Sequence, residues 1–345
     1  MHELGRLEDL PEDYRSALSE LNLVPLWPSL RSVLPKGRPA LRTRPTCWPY
    51  QSLKPLLLKA GELTPMEKAE RRVLVLANPG HGLDKMQASS TIYLGMQLLL
   101  PGETAPMHRH TPNAVRMVVE GGGAYTSVNG ERCPMERGDL ILTPTGMWHE
   151  HGHDGTEPVV WLDVLDLPLV YYMEASYVME GGPEFPAKGD DSGAYLGGGV
   201  APAPVFERSA EAFPMLRYPW KQVKAALHSL AASRPEIESV QVAYINPETG
   251  ADVQKILGYS ALMLRPGERL SLPARSSSCV FHQVEGKARV AVEDVEFSMK
   301  DADTCCIPGY TAITLENLSG SEPAYLFVAD DAPFQKKLGV YEVRK

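Results

Sequence analysis

No run of about eighteen apolar residues occurs anywhere in the 345-residue chain, so no segment reads as a membrane-spanning helix. The first residues, Met1-His2-Glu3-Leu4-Gly5-Arg6, lack the basic-then-apolar order of a secretory leader. Cysteine is scarce: five residues, at 47, 133, 279, 305 and 306, odd in number and irregularly spaced. That argues against a disulfide framework and for a reducing compartment, so a cytoplasmic location is expected. Positive charge is in deficit. The formal net charge is −9 and no basic block offsets it, which argues against a nucleic-acid partner. An anionic ligand would need local positive charge, for which a metal ion and arginine are the available sources.

What is present is ordinary for a globular protein, 43% hydrophobic and 22% charged, over a length that suits two cores with connecting arms. Leu10-Pro11-Glu12-Asp13 starts a helix that places Tyr14, Leu18 and Leu21 on one face. Residues 25–55 carry many prolines and read as an extended arm. From Ile92 to Leu165 short apolar or alternating runs follow one another, broken by Gly, Pro and Asn, as in an antiparallel sandwich or barrel. Residues 181–205 read as a Gly/Pro/Ala-rich linker, and Trp220–Ala231 as a helix. The strand rhythm returns over Ala261–Ala329.

That second stretch repeats the first. Pro101-Gly102-Glu103 recurs as Pro266-Gly267-Glu268, 165 residues on, and the same offset sets Glu120-Gly121 on Glu285-Gly286. After a one-residue deletion Thr143-Pro144 meets Ile307-Pro308. A repeat of this length means two copies of one domain.

Three histidines carry the chemistry. His108 and His110 stand two apart, which on a strand points both rings to one face. Gly138-Asp139-Leu140-Ile141-Leu142-Thr143-Pro144-Thr145-Gly146-Met147-Trp148-His149 is a strand, a Pro-x-Gly turn and a third histidine. Three neutral imidazoles leave open positions on a divalent ion, as catalytic metal sites require. Gly102, His108, His110 and Gly122, then Gly138, Pro144, Gly146 and His149, resemble the two cupin motifs in order and spacing. Most cupins add a glutamate four or five residues after the second histidine. Here Ala114 and Val115 stand there and Arg116 follows, so the metal keeps its full charge and an anionic chelating ligand is favoured.

With Ala69-Glu70-Arg71-Arg72-Val73-Leu74, Pro106–Thr111, Glu120–Thr126, Trp148–Gly152 and Trp161–Asp166, the chain resembles the gentisate 1,2-dioxygenase family and its salicylate and 1-hydroxy-2-naphthoate relatives. The resemblance implies an all-β-dominated bicupin, two antiparallel jelly-roll barrels with an N-terminal helical and extended arm and a helical linker. On that plan residues 1–90 are the arm, 91–180 the metal-binding cupin, 181–250 the linker, 251–335 a second cupin and 336–345 a tail. It implies one Fe(II) per chain on His108, His110 and His149, a hydroxybenzoate and dioxygen as substrates, and a homotetramer.

It further implies Arg116 and Arg72 as grips for the substrate carboxylate, with Gln97 and Tyr93 in the substrate pocket. His151 is expected to handle protons, with Asp163 fixing its tautomer. Arg71 and Arg109 read as solvated surface charges, and His153 as a loop residue. In register with the ligands the second copy has Pro273, Arg275 and Ile313, and Phe281 replaces Arg116, so no metal is expected there. Gentisate leads, with salicylate, a substituted salicylate or 1-hydroxy-2-naphthoate as alternatives. A metal-dependent bicupin isomerase is disfavoured by the absence of a basic phosphate cluster, and a non-enzymatic ligand-binding bicupin by the open coordination face.

Overall fold

The computed structural model describes residues 4–196, 202 and 213–344. Residues 1–42 form one unit by themselves. It holds two short helices, Glu12–Glu20 and Leu26–Val33, entered behind Pro11 and Pro25, where a missing amide hydrogen costs nothing. Neither helix buries a side chain. The expected face of Tyr14, Leu18 and Leu21 is therefore an apolar stripe that this unit leaves largely exposed.

The second unit, Thr43–Lys345, contains both barrels, each made of two antiparallel sheets facing one another rather than one continuous ring. In the first barrel a six-stranded sheet runs in the spatial order Arg217–Tyr218, Leu140–Thr143, Ala114–Glu120, Val159–Leu165, Tyr93–Leu99, Val73–Val75. A five-stranded sheet of Val178–Glu180, Thr104–His110, His149–His153, Gly122–Val128 and Glu131–Glu136 faces it. The second barrel repeats the plan with a six-stranded sheet around Cys279–Glu285 and Ala324–Asp330, and a four-stranded sheet around Ile313–Asn317 and Ala288–Val292.

The arm is not the extended segment its prolines suggest. Thr46–Trp48 pairs with Thr304–Cys306 and so extends a sheet of the second barrel. Pro49 then starts a helix, Tyr50–Leu63, that packs on the first barrel's Tyr93–Leu99 strand. The segment before the second barrel mirrors this: Arg217–Tyr218 pairs with Leu140–Ile141 of the first barrel, and Pro219 starts the helix Trp220–Ser233. Each barrel thus borrows an edge strand from the chain that precedes the other. The linker reading of 181–205 falls partly outside the described residues. The helix expected over 220–231 is present, two residues longer.

Matching hydrogen bonds lock the exchange. Asp303 Oδ1 accepts from the Tyr50 amide at 2.7 Å, and Asp139 Oδ1 accepts from the Trp220 amide at 2.8 Å. The Tyr50 hydroxyl and the Lys54 ammonium both reach Glu120, as Trp220 Nε1 and Lys224 reach Glu285. The repeat therefore begins upstream of the barrels, at Trp48-Pro49-Tyr50 and Tyr218-Pro219-Trp220.

Candidate metal centre and substrate site

Alternation along each strand decides what enters the first barrel. On the Ala114–Glu120 strand Arg116 lies opposite Asp163, and on the Tyr93–Leu99 strand Gln97 lies opposite Trp161 and Gly95 opposite Asp163. These side chains share the inner face. Across from them, His149 pairs with His108 and with Val128, while His151 pairs with Ala105 and Thr126. The rings of His151 and Trp161 meet at 5.2 Å, which closes the gap between the two sheets.

His108, His110 and His149 come together with one nitrogen each within 4.8 Å of the others. Their outer nitrogens explain the arrangement. Nδ1 of His108, His110 and His149 faces the backbone carbonyls of Pro106 (3.1 Å), Pro112 (2.7 Å) and Met147 (3.0 Å). A carbonyl only accepts, so each Nδ1 carries the proton and each Nε2 keeps its lone pair on the side of the shared centre, where that of His108 accepts from Arg71 Nε in the position a metal would take. Burial and Arg71 push His108 down to about 3, and burial and Arg116 push His110 down to about 4. Burial holds His149 well below the ordinary histidine range. All three are therefore neutral at physiological pH, the form that ligates a divalent metal. The donor set and its preset tautomers fit such an ion.

The polar groups around the centre are unevenly satisfied. Among the described residues nine buried side-chain nitrogens and oxygens lack a hydrogen-bond partner, and four of them are Gln97 Nε2, Arg116 Nε, His149 Nε2 and His151 Nε2. Buried polar atoms rarely stay unpaired, and four gathered in one barrel interior mark a place built for a polar ligand. Arg116 is anchored at its other end: Nη1 donates to Thr143 Oγ1, and Nε lies 3.3 Å from Asp163 Oδ1, out of line for a hydrogen bond. Gly95 is required beside them, because a Cβ there would stand 2.6 Å from Val73 and 2.8 Å from the Tyr93 hydroxyl. Tyr93 is thus folded along its strand toward Asp163.

Two arginines lie other than expected. Arg72 is buried and fully committed: Nη1 and Nη2 donate to the Glu103 carboxylate at 2.8 and 2.7 Å, and Nε to the Thr64 carbonyl. Its fork is turned onto Glu103 rather than toward the three histidines, which speaks for a structural role. Arg71, read as a surface charge, instead reaches the centre, its Nε donating to His108 Nε2 at 3.1 Å. The two arginines sit at a bend immediately before the Val73–Val75 strand, and there they turn to different partners. The tautomer support expected of Asp163 is also corrected. Asp163 accepts from Trp161 Nε1 at 3.1 Å, whereas His151 Nδ1 meets Thr126 Oγ1 at 2.9 Å. Arg109 is half-buried and lies over the Trp148 ring, 4.9 Å from its centroid. His153 is a buried strand end rather than a loop residue.

Among known proteins the Cupin domain family matches residues 95–165. The chain is 67% identical to a gentisate 1,2-dioxygenase of Ralstonia sp, over 99% of this chain and 97% of that one. The chain belongs to the gentisate 1,2-dioxygenase family. It is also 35% identical to a 5-aminosalicylate 1,2-dioxygenase of Comamonas sp, over 97% of this chain and 89% of that relative. The crystal structure of a salicylate 1,2-dioxygenase from Pseudoaminobacter salicylatoxidans, described as an adduct with gentisate, superposes with a TM-score of 0.88 at 31% identity. That match covers 97% of this chain and 94% of the other. Members of the family are ring-cleaving dioxygenases, and the bicupin fold expected from the motifs is the one observed.

The second barrel shows what the site replaces. Arg116 opposite Asp163 becomes Phe281 opposite Val328, and Gln97 opposite Trp161 becomes Leu262 opposite Leu326. Thr126 opposite His151 becomes Val290 opposite Leu315, and Val128 opposite His149 becomes Val292 opposite Ile313. The replacing side chains form the second barrel's own apolar cluster. Thr126, Thr143 and Trp161 are site residues to which sequence reasoning gave no role, and Arg71 is one it read as a surface charge. The repeat held a signal for Thr126, since it changes to an apolar residue together with His151.

Proposed function

We propose that the chain is an Fe(II)-dependent gentisate 1,2-dioxygenase that inserts both atoms of dioxygen between the carboxyl-bearing and hydroxyl-bearing ring carbons, giving maleylpyruvate. The observation that carries this reading is the convergence of three Nε2 lone pairs beside unpaired donors of Arg116 and Gln97, a setting for a chelating oxyanion. His108, His110 and His149 would hold one iron per chain. Bound there, iron supplies the one-electron chemistry that lets dioxygen react with an aromatic ring. The reaction consumes no separate reductant, since both oxygen atoms stay in the product.

The protein's own residues bind and orient. Arg116 and Arg71 bring guanidinium charge to a protein of net charge −9, and a guanidinium pairs two-pronged with a carboxylate. Arg116 is held by Thr143 and Asp163, so its direction is set before substrate arrives. Trp161 and the folded Tyr93 wall the ring. The Tyr93 hydroxyl beside Asp163 offers polar company to a second ring hydroxyl, which gentisate has and salicylate lacks. His151 turns Nε2 toward the substrate's oxygens as the group that handles a proton there. A cytoplasmic homotetramer is the assembly that accompanies this reading.

Oxygen uptake with gentisate, salicylate, 5-aminosalicylate and 1-hydroxy-2-naphthoate tests it. Gentisate should give the highest kcat/KM, with one dioxygen consumed per ring opened. No uptake with gentisate by the iron-loaded enzyme would overturn the reading.

A further inference from the structure

Four histidines line the metal side of the first barrel, and three of them bind their Nδ1 to a carbonyl while the fourth does not. For His108, His110 and His149 the carbonyl can only accept, so Nδ1 must carry the proton. His151 shares the strand and face of His149, with ring centroids 6.0 Å apart. Its Nδ1 meets the Thr126 hydroxyl at 2.9 Å instead, and a hydroxyl can donate. The other neighbour of that hydroxyl is Met135 Sδ, at 3.8 Å. A thioether is a weak acceptor, so the Thr126 proton is better placed on the imidazole nitrogen. His151 then carries its own proton on Nε2, the buried atom that has no partner within the protein.

We propose that Thr126 is a positioning residue that holds His151 in the Nε2–H tautomer, making it a hydrogen-bond donor to the substrate's oxyanion and preventing it from becoming a fourth metal ligand. One hydroxyl thereby separates two histidines that sequence spacing treats alike. The second barrel supports a functional rather than a structural role. At the equivalent pair it carries Val290 opposite Leu315, so this barrel design accepts a branched apolar residue where no histidine needs a partner. Both Thr126 and His151 are buried, which shields the hydrogen bond from competing water. The inference rests on the reading that an anionic hydroxy-acid binds at the centre.

The test uses the full-length protein, with Thr126→Val and Thr126→Ser. In zinc-loaded, ¹⁵N-histidine-labelled native enzyme, NMR should show His151 protonated on Nε2, opposite to the three ligands. In the iron enzyme without oxygen, gentisate titration should give a Kd raised about tenfold in Thr126→Val, the size expected for one hydrogen bond to a charged group. Thr126→Ser should stay near the native value, and metal content should be unchanged in both. A His151 proton on Nδ1, or a Thr126→Val enzyme with native gentisate affinity, would overturn the proposal. Should Thr126→Val not fold, Thr126→Ala carries the same comparison. If native enzyme neither bound nor turned over gentisate, the substrate reading would fail, while the NMR experiment would still decide the tautomer.

Discussion

At the residue scale, adjacent arginines separate binding from stability. Arg72 and Glu103 form a buried, two-pronged pair, whereas Arg71 is a quarter exposed and directed at His108. Arg72→Ala should lower unfolding stability by about 2–4 kcal/mol in urea titrations, because it strands a carboxylate. Arg71→Ala should change stability little and raise KM for gentisate. Arg116→Ala should raise KM by the equivalent of about 2–4 kcal/mol, with only partial recovery in Arg116→Lys, since ammonium lacks the planar fork. An unchanged KM in Arg116→Ala would leave the carboxylate to Arg71. His282, buried in the second barrel with Nδ1 on Thr304, gives a pH prediction clear of the metal site. Burial and the Arg137 charge push it down to about 3. The unfolded chain then binds a proton that the folded chain refuses, so stability is full above about pH 6.5 and falls as pH drops below it. His282→Gln should flatten the melting-temperature profile between about pH 6.5 and 4.5, whereas an unaltered slope would show that other groups control it.

At the scale of elements, the two Pro-started helices are the fasteners of the molecule. Each begins on an aspartate that immediately precedes a barrel strand, Asp303 for Tyr50–Leu63 and Asp139 for Trp220–Ser233. The two caps differ in what else they hold. Asp139 also pairs with the buried Arg217 guanidinium, Nε to Oδ2 at 2.7 Å, while Asp303 takes only backbone donors from Tyr50 and Lys300 among the described residues. Asp303→Ala should therefore cost about 1–2 kcal/mol, the loss of a cap. Asp139→Ala should cost more, about 2–5 kcal/mol, because the cap is lost together with the charge-assisted bonds from Arg217, which keeps Asp190 at 3.0 Å. Equal losses in denaturant titrations would show that the Arg217 pair adds nothing. Gly138 tightens the same joint: at φ +86° it faces the Trp220 ring, and a Cβ there would lie 2.5 Å from the ring.

At the scale of the whole molecule, duplication has produced one working barrel and one filled barrel. The inward pairs Arg116–Asp163, Gln97–Trp161 and Thr126–His151 of the first each have an apolar counterpart in the second, whose interior is occupied by its own side chains. Metal analysis of the fully loaded protein should find one iron per chain. Replacing any one of His108, His110 and His149 with Ala should abolish both metal retention and turnover. Two irons per chain, or metal retained in His108→Ala, would defeat the assignment. The strand exchange ties the halves together, so damage to the filled barrel should reach the metal through the shared sheets.

Much of this was legible before any coordinates. The H-x-H pair, the Pro-x-Gly turn before His149 and the offset of 165 point to the fold, to the three histidines that converge and to a second copy that lacks them, because each depends on strand periodicity and local turn chemistry. The edge strands Thr46–Trp48 and Arg217–Tyr218 were not legible: two or three residues carry no periodicity, and their partners lie in the other half of the chain. Nor does sequence say which of Arg71 and Arg72 faces the site, since both precede the Val73–Val75 strand at a bend, where no periodicity sets direction. The partner of His151 belongs to the same class. Thr126 and Asp163 are both plausible by type, and only the register of the sheets sets Thr126 beside it and gives Asp163 to Arg116 and Trp161. Local pattern names the elements and their chemistry; long-range pairing selects among residues of equal chemical fitness.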